Sequence, residues 1–249
     1  MSAGVLIYCF DSEKVNYHTV TNFSIQQIKL HLKLPVTVVT NKETQKYIVG
    51  ADNFVVIEHQ TGNRRVYRDQ VVDWFNLERS SAYDYTPYET TILLDSDYFV
   101  YTNSLLQYVD TNYDFLLHDL VHDLTNRNSF DYNNESLVPL VWATVTIFKK
   151  NNNVKNIFNF IKHIQKNYFY YYDLYRINVR NFRNDYAFAI AMHQLSIKDF
   201  IPTRMSMLPA DTKILHIDNK KVIFKYANNV NEIFDQDVHV LQKEIPVNV

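Results

Sequence analysis

The chain has 249 residues, of which 47% are hydrophobic and 21% charged, and its formal net charge is −2. That length buries a full core, and the composition is that of a soluble globular protein without the overall basic charge of a nucleic-acid or membrane-surface binder. Only three residues are glycine (Gly4, Gly50 and Gly62) and one is cysteine (Cys9), which excludes a glycine-rich phosphate loop, an intramolecular disulfide and any CxxC site.

The first element in the chain is the apolar run from Gly4 to Phe10, read as a strand covered on both faces and not as a signal peptide. Asp11 stands where that strand would end. Between Val15 and Leu34 the period becomes helical, with Ile25, Ile28 and Leu32 on one face, and Pro35 stops it. Val36–Thr40 and Asn53–Ile57 read as the second and third strands. A helix is predicted from Asp69 to Tyr85, with Val71, Trp74, Phe75 and Leu77 on its apolar side. Thr90–Leu94 is a fourth strand. Further strands are expected at Asp114–Leu117, Val138–Phe148, Lys213–Ile217 and Lys221–Tyr226. Helices are expected over Asn153–Asn167 and from Asp185, through Phe188, Met192 and Leu195.

Strands joined by long helical crossovers define an α/β class: a Rossmann-like, mixed but mainly parallel central sheet with helices on both faces. With no repeat or linker-like stretch, residues 1–249 read as one domain. The lone cysteine and the lack of a membrane-length apolar run point to the cytoplasm.

The most informative stretch runs from Ile92 to Val100. Three apolar residues precede Asp95 and Asp97, and strand alternation would turn both acids to one side with Ser96 opposite. In an open parallel sheet, ligands bind at the carboxyl ends of strands. Two carboxylates there offer hard oxygen ligands to a divalent cation, which neutralises phosphate without a glycine loop. The alternative is a strand-end turn whose acids accept bonds from nearby backbone N–H groups. His118 and His122 offer a second, weaker metal pattern. The aromatic run Tyr168–Tyr175, followed by Arg176, Arg180 and Arg183, suits sugars or unstacked bases together with phosphate.

On these residues the chain resembles GT-A glycosyltransferases, and within them the family 8-like branch. The likeness rests on Arg79 upstream, Leu94-Asp-Ser-Asp97, the acid Asp185 opening a helix, and a C-terminal histidine with a nearby lysine. Trp142–Val145 and Phe182–Phe188 also resemble small glycosyltransferase-like proteins of tailed bacteriophages. The resemblance implies residues 1–100 as a nucleotide-binding half and 101–249 as the half for sugar and acceptor. It implies that Asp97 binds the metal and that Asp95 shares it and contacts the donor ribose. Arg79 would reach the donor sugar or diphosphate, and Tyr8, Phe10 and Asp11 would lie along base and ribose. His216 would complete the metal site, which with one imidazole and two carboxylates favours Mn²⁺ over Mg²⁺, and Lys220 or Lys221 would meet the diphosphate. Asp185 would bind the donor sugar or activate the acceptor, and Trp142 to Thr144 would line the sugar pocket, with Trp142 stacking on a pyranose.

Two departures stand out. The glycine and Pro-Trp that accompany the family's histidine are missing near His216, and the family's Asp-Gln is Asp185-Tyr186 here. The implied activity is that of a hexosyl- or pentosyltransferase taking its sugar from a UDP-sugar, with a hydroxymethylated pyrimidine of viral DNA as one acceptor. Glycan, protein or small-molecule acceptors are the alternatives, as is a non-catalytic nucleotide- or nucleic-acid-binding module. A DxDx[TV] phosphatase fits less well, since its motif follows the first strand and Phe99 stands at the Thr/Val position.

Overall fold

The computed structural model describes residues 2–58, 63–67, 70–75, 77–127, 136–243 and 245–246. In chain order the first elements are β1 (Ala3–Tyr8), α1 (Tyr17–His31), β2 (Val36–Thr40), α2 (Lys42–Gln45) and β3 (Asn53–Val56). A hairpin of β4 (Asn63–Tyr67) and β5 (Gln70–Trp74) follows, then a 3-10 turn (Leu77–Ser81) running into the short α3 (Ala82–Tyr85). Next come β6 (Thr90–Leu94), β7 (Tyr98–Phe99), β8 (Phe115–His118), β9 (Val121–Asp123) and β10 (Trp142–Lys149). Three helices follow: α4 (Asn152–Lys166), α5 (Tyr168–Leu174) and α6 (Asn184–Gln194). The chain continues through β11 (Met205–Leu208), β12 (Lys213–Ile217), β13 (Lys221–Tyr226), β14 (Asn229–Phe234) and β15 (Val238–Val240).

The central sheet has the order β3-β2-β1-β6-β10-β8. Its β3, β2, β1 and β6 are mutually parallel, and β10 runs antiparallel between β6 and β8. This is the mixed, mainly parallel α/β sheet expected. Every residue of β2 and β6 is buried, because helices and loops cover both faces. Successive side chains alternate between the two layers. Val5, Ile7, Ile92 and Leu94 pack with Ile25 and Ile28 of α1, while Leu6 and Leu93 join Phe148, Phe158 and Phe188 beside α4 and α6. A second sheet, β7-β15-β11-β9, and a third, β12-β13-β14, lie outside the central one.

Gly4 is required by a close approach. The Tyr88 ring crosses β1 so tightly that a Cβ on Gly4 would sit 2.3 Å from a ring carbon. The Tyr88 hydroxyl is anchored 2.8 Å from Thr37 Oγ1 on β2. Asn151 caps α4 by accepting from the amide of Val154 at 3.0 Å.

The helix expected from Asp69 to Tyr85 is replaced by β5, the 3-10 turn and α3; Asp69 itself lies outside the described residues. The spacing of Val71, Trp74, Phe75 and Leu77 fits a helical period, but Val71 and Val72 are β-branched and pair across the hairpin with Val66 and Arg65. The strand expected from Val138 begins at Trp142.

Candidate metal and donor site

The site forms where β6 ends. Ile7 of β1 is level with Leu94, and Val145 of the antiparallel β10 faces the same residue. The first residues of β10 therefore flank the last residues of β6, and the amide of Asp95 donates to the Thr144 carbonyl at 2.9 Å. The strand stops at Leu94. Residues 95–98 form a turn closed by the Tyr98 amide on the Asp95 carbonyl at 3.1 Å. A turn, not strand alternation, thus brings Asp95 and Asp97 together.

After the turn, β7 pairs antiparallel with β15, setting Tyr98 opposite His239. The Val240 amide donates to the Asp97 carbonyl at 2.9 Å. This pairing carries His239 to the acids: its Nε2 lies 3.2 Å from Asp97 Oδ1 and 3.9 Å from Asp95 Oδ2. One donor atom from each of Asp95, Asp97 and His239 falls within 4.8 Å of the others. Two carboxylates and an imidazole at that spacing are a donor set for a divalent transition metal.

Charge around the group is balanced by two cations. Arg79, only 4% exposed, places Nη1 2.7 Å from Asp95 Oδ1 and donates from Nη2 to the carbonyls of Ala143 and Thr144. Its Nε is buried with no partner among the described residues. Lys243, on the segment after β15, places its ammonium against Asp97 Oδ2.

Burial holds the His239 pKa below its ordinary value, against the opposing pull of Asp95 and Asp185. The ring is therefore neutral near pH 7, the form that ligates metals. Its Nδ1 lies 3.4 Å from Thr144 Oγ1, so Thr144 can orient the ring.

Asp185 sits in the first turn of α6 and is held from two sides. It accepts from the amide of Ala143 at 3.0 Å and from Arg183 Nη2 at 2.8 Å. Ala143 thereby links Asp185 to Arg79, and both side chains are pinned to the start of β10.

The other expected residues fall as follows. Tyr8, Phe10 and Asp11 lie at the carboxyl end of β1. The Tyr8 hydroxyl is buried without a partner among the described residues. Phe10 packs edge-on against Phe75 at 6.4 Å. Asp11 accepts from the His18 amide at 2.9 Å and pairs with His18 Nδ1 at 2.6 Å, which secures the start of α1. His216 stands on β12, half exposed, with Nε2 2.9 Å from Asp218. Exposed Lys220 donates its amide to the same Asp218 at 2.8 Å. Neither His216 nor Lys220 belongs to the acidic group; His239 and Lys243 stand there instead. Trp142 is buried in the core with Leu116, Val145 and Ile147. His118 is buried with Nδ1 2.8 Å from the Thr203 carbonyl, and His122 lies on β9, so the two make no metal cluster among the described residues.

Sequence reasoning missed His239 and Lys243, and placed Thr144 in the sugar pocket rather than beside a histidine. The signal for both was present, since a C-terminal histidine with a lysine four positions on satisfies the same motif as His216 and Lys220.

The 3-10 turn that aims Arg79 inward presents Glu78, Ser80 and Ser81 to an open groove of about 660 Å³. Lys162, Lys166, Tyr168, Phe169 and Arg180 line its other walls. Tyr168, Tyr171 and Tyr175 of the aromatic run are buried, whereas Phe169 and Tyr170 are exposed.

No protein-family model and no curated protein sequence matches the chain. Among solved structures it is similar to an active-site mutant of LgtC, with 12% identity and a TM-score of 0.55, covering 83% of this chain and 75% of that one. It is similar also to the galactosyltransferase LgtC in complex with donor and acceptor sugar analogues, with 12% identity and a TM-score of 0.52, over 83% of this chain and 76% of that one. The apo glycosyltransferase GlyE of Streptococcus pneumoniae matches at 12% identity and a TM-score of 0.46, over 81% of this chain; the chain spans 45% of the length of GlyE. The fold is that of the GT-A glycosyltransferases.

Proposed function

We propose that the protein is a metal-dependent glycosyltransferase that takes a sugar from a nucleotide-sugar donor, in the first instance a UDP-sugar. The observation that carries this reading is the convergence of Asp95, Asp97 and His239 at the end of β6, the end of a GT-A sheet where ligands bind.

Asp95, Asp97 and neutral His239 would hold the divalent ion, Mn²⁺ in preference to Mg²⁺ because one ligand is an imidazole. The ion, when bound, supplies Lewis acidity that stabilises the departing nucleoside diphosphate. Lys243, already at the acids, is the lysine placed to meet the diphosphate. Arg79 fixes the orientation of Asp95, and its Nε has no partner among the described residues. Asp185, locked by Ala143 and Arg183, presents a carboxylate to the donor sugar. Tyr8 and Phe10 would form the floor for base and ribose. Within one domain, residues 1–100 would hold the nucleotide and residues 101–249 the sugar and acceptor.

The acceptor would approach by the groove of Phe169, Lys166 and Arg180. An exposed aromatic face beside two cations suits a sugar ring or an unstacked base carrying phosphate. Glycans and a hydroxymethylated pyrimidine of DNA both present that chemistry. Among the described residues no helix is long and apolar enough to cross a membrane.

The test is a panel of UDP-, GDP- and CMP-sugars with Mn²⁺, scored by thermal shift and slow donor hydrolysis. One donor should raise the melting temperature only when Mn²⁺ is present, and EDTA should abolish the rise. No shift with any donor overturns the proposal.

A further inference from the structure

The acids at the end of β6 are already neutralised. Arg79 answers Asp95 and the Lys243 ammonium answers Asp97, so two negative charges meet two positive ones. A divalent cation among Asp95, Asp97 and His239 would add two further positive charges. Asp97 and His239 are each 5% exposed, so solvent screens the excess poorly on their side of the group, and uncompensated charge in such a place is unfavourable. Displacing one of the resident cations relieves that excess.

The two are held differently. The Arg79 guanidinium is buried, always protonated, and bonded at once to Asp95 and to the carbonyls of Ala143 and Thr144. Removing it would take the cation from Asp95 and break two further bonds to buried carbonyls, each of which keeps one other donor. Lys243 lies outside the strands, two residues beyond Leu241, whose amide donates to the Leu208 carbonyl at 3.0 Å. Its charge is a compact ammonium on a four-carbon stem with freely rotating bonds. The stem can swing without moving β15, so His239 stays in place when the ammonium departs.

The geometry points to Lys243 as an exchangeable counter-ion that occupies the cation's place on Asp97 and yields it when metal and nucleoside diphosphate enter together. This rests on the metal-dependent reading above and gives it an order of events. Metal alone has to displace the ammonium from Asp97, and binds weakly. A nucleoside diphosphate brings negative charge that receives the displaced lysine. Metal and nucleotide therefore strengthen each other's binding, by equal factors as linkage requires.

The experiment measures Mn²⁺ affinity by electron paramagnetic resonance of the free ion, with and without UDP, in the parent protein, Lys243→Gln and Lys243→Arg. The expected result is tighter Mn²⁺ binding by Lys243→Gln in the absence of UDP, by about tenfold, with most of the gain from UDP lost. Lys243→Arg keeps the charge and should retain the parent's dependence on UDP. Far-ultraviolet circular dichroism and melting temperature confirm that the variants are folded; because Lys243 lies beyond β15, the fold is expected to survive. Equal or weaker Mn²⁺ binding by folded Lys243→Gln overturns the exchange while the metal site stands. Failure of both parent and variant to bind Mn²⁺ overturns the exchange and the metal reading together.

Discussion

Arg79 Nη1 lies 2.7 Å from Asp95 Oδ1, and the same guanidinium reaches the carbonyls of Ala143 and Thr144 on the neighbouring strand. One side chain thus ties the end of β6 to the start of β10, where those two antiparallel strands frame the site. Arg79 is a structural brace as well as a charge.

Replacing it should therefore be costly before any ligand is considered. Arg79→Met is expected to lower stability by about 2–4 kcal/mol, since it leaves the Asp95 carboxylate without its cation and takes one of two donors from each of two buried carbonyls. Asp95 is 35% exposed at its side chain, and solvent screening there favours the lower end of that range. Arg79→Lys should recover only part of the loss, because a single ammonium cannot reach all three acceptors. Urea denaturation measures both, and an unchanged midpoint in Arg79→Met would refute the brace.

The two histidines separate cleanly. His239→Ala should remove Mn²⁺-dependent thermal stabilisation by UDP-sugars, whereas His216→Ala should leave it intact, because His216 is engaged with Asp218 on a different sheet. The reverse pattern would restore His216 as the ligand. Thermal shift at several Mn²⁺ concentrations reads the difference directly.

Gly4→Ala should be destabilising although alanine is otherwise the better strand residue. The added methyl would press into the Tyr88 ring at 2.3 Å, and overpacking of this kind costs about 1–3 kcal/mol. In a Tyr88→Leu background the same substitution should cost much less. Equal costs in the two backgrounds would show that the ring is not the obstacle.

His118 gives a pH dependence with a defined sign. Burial lowers its pKa from 6.5 to about 4 in the folded protein. Between those values the unfolded chain takes up a proton that the native state refuses, so stability falls as pH drops from 6.5 toward 4. The full effect is about 3 kcal/mol, complete below the folded value. His239 titrates in the same direction, so His118→Asn should flatten the slope without abolishing it. Identical slopes in parent and variant would sink the assignment.

Much of the sheet was legible from local pattern. Val36–Thr40, Thr90–Leu94, Lys213–Ile217 and Lys221–Tyr226 begin and end as expected, since each is an apolar or alternating run bounded by breakers. The acids Asp95 and Asp97 were legible for the same reason: strand and motif are contiguous. His239 was not. Leu215-His216-Ile217 and Val238-His239-Val240 are equivalent as sequences, a histidine between apolar residues in a short strand. What separates them is that β15 pairs with β7, the strand directly after the acidic turn, and β12 pairs with β13. Such long-range pairing leaves no local trace. The residues from Val71 to Leu77 failed differently: their spacing satisfied two periods, and β-branching decided between them.

The pairing of β15 with β7 also bears on the order in which the chain folds. Asp97 and His239 are 142 positions apart, and closing a loop of that length costs about 4 kcal/mol in chain entropy. Their meeting cannot seed folding and has to follow it. On the ribosome, the two acids emerge long before the histidine and the lysine that attend them. A metal ion gripping both would act as a clasp across more than half of the 249 residues, and its affinity would report whether folding had joined the two strands.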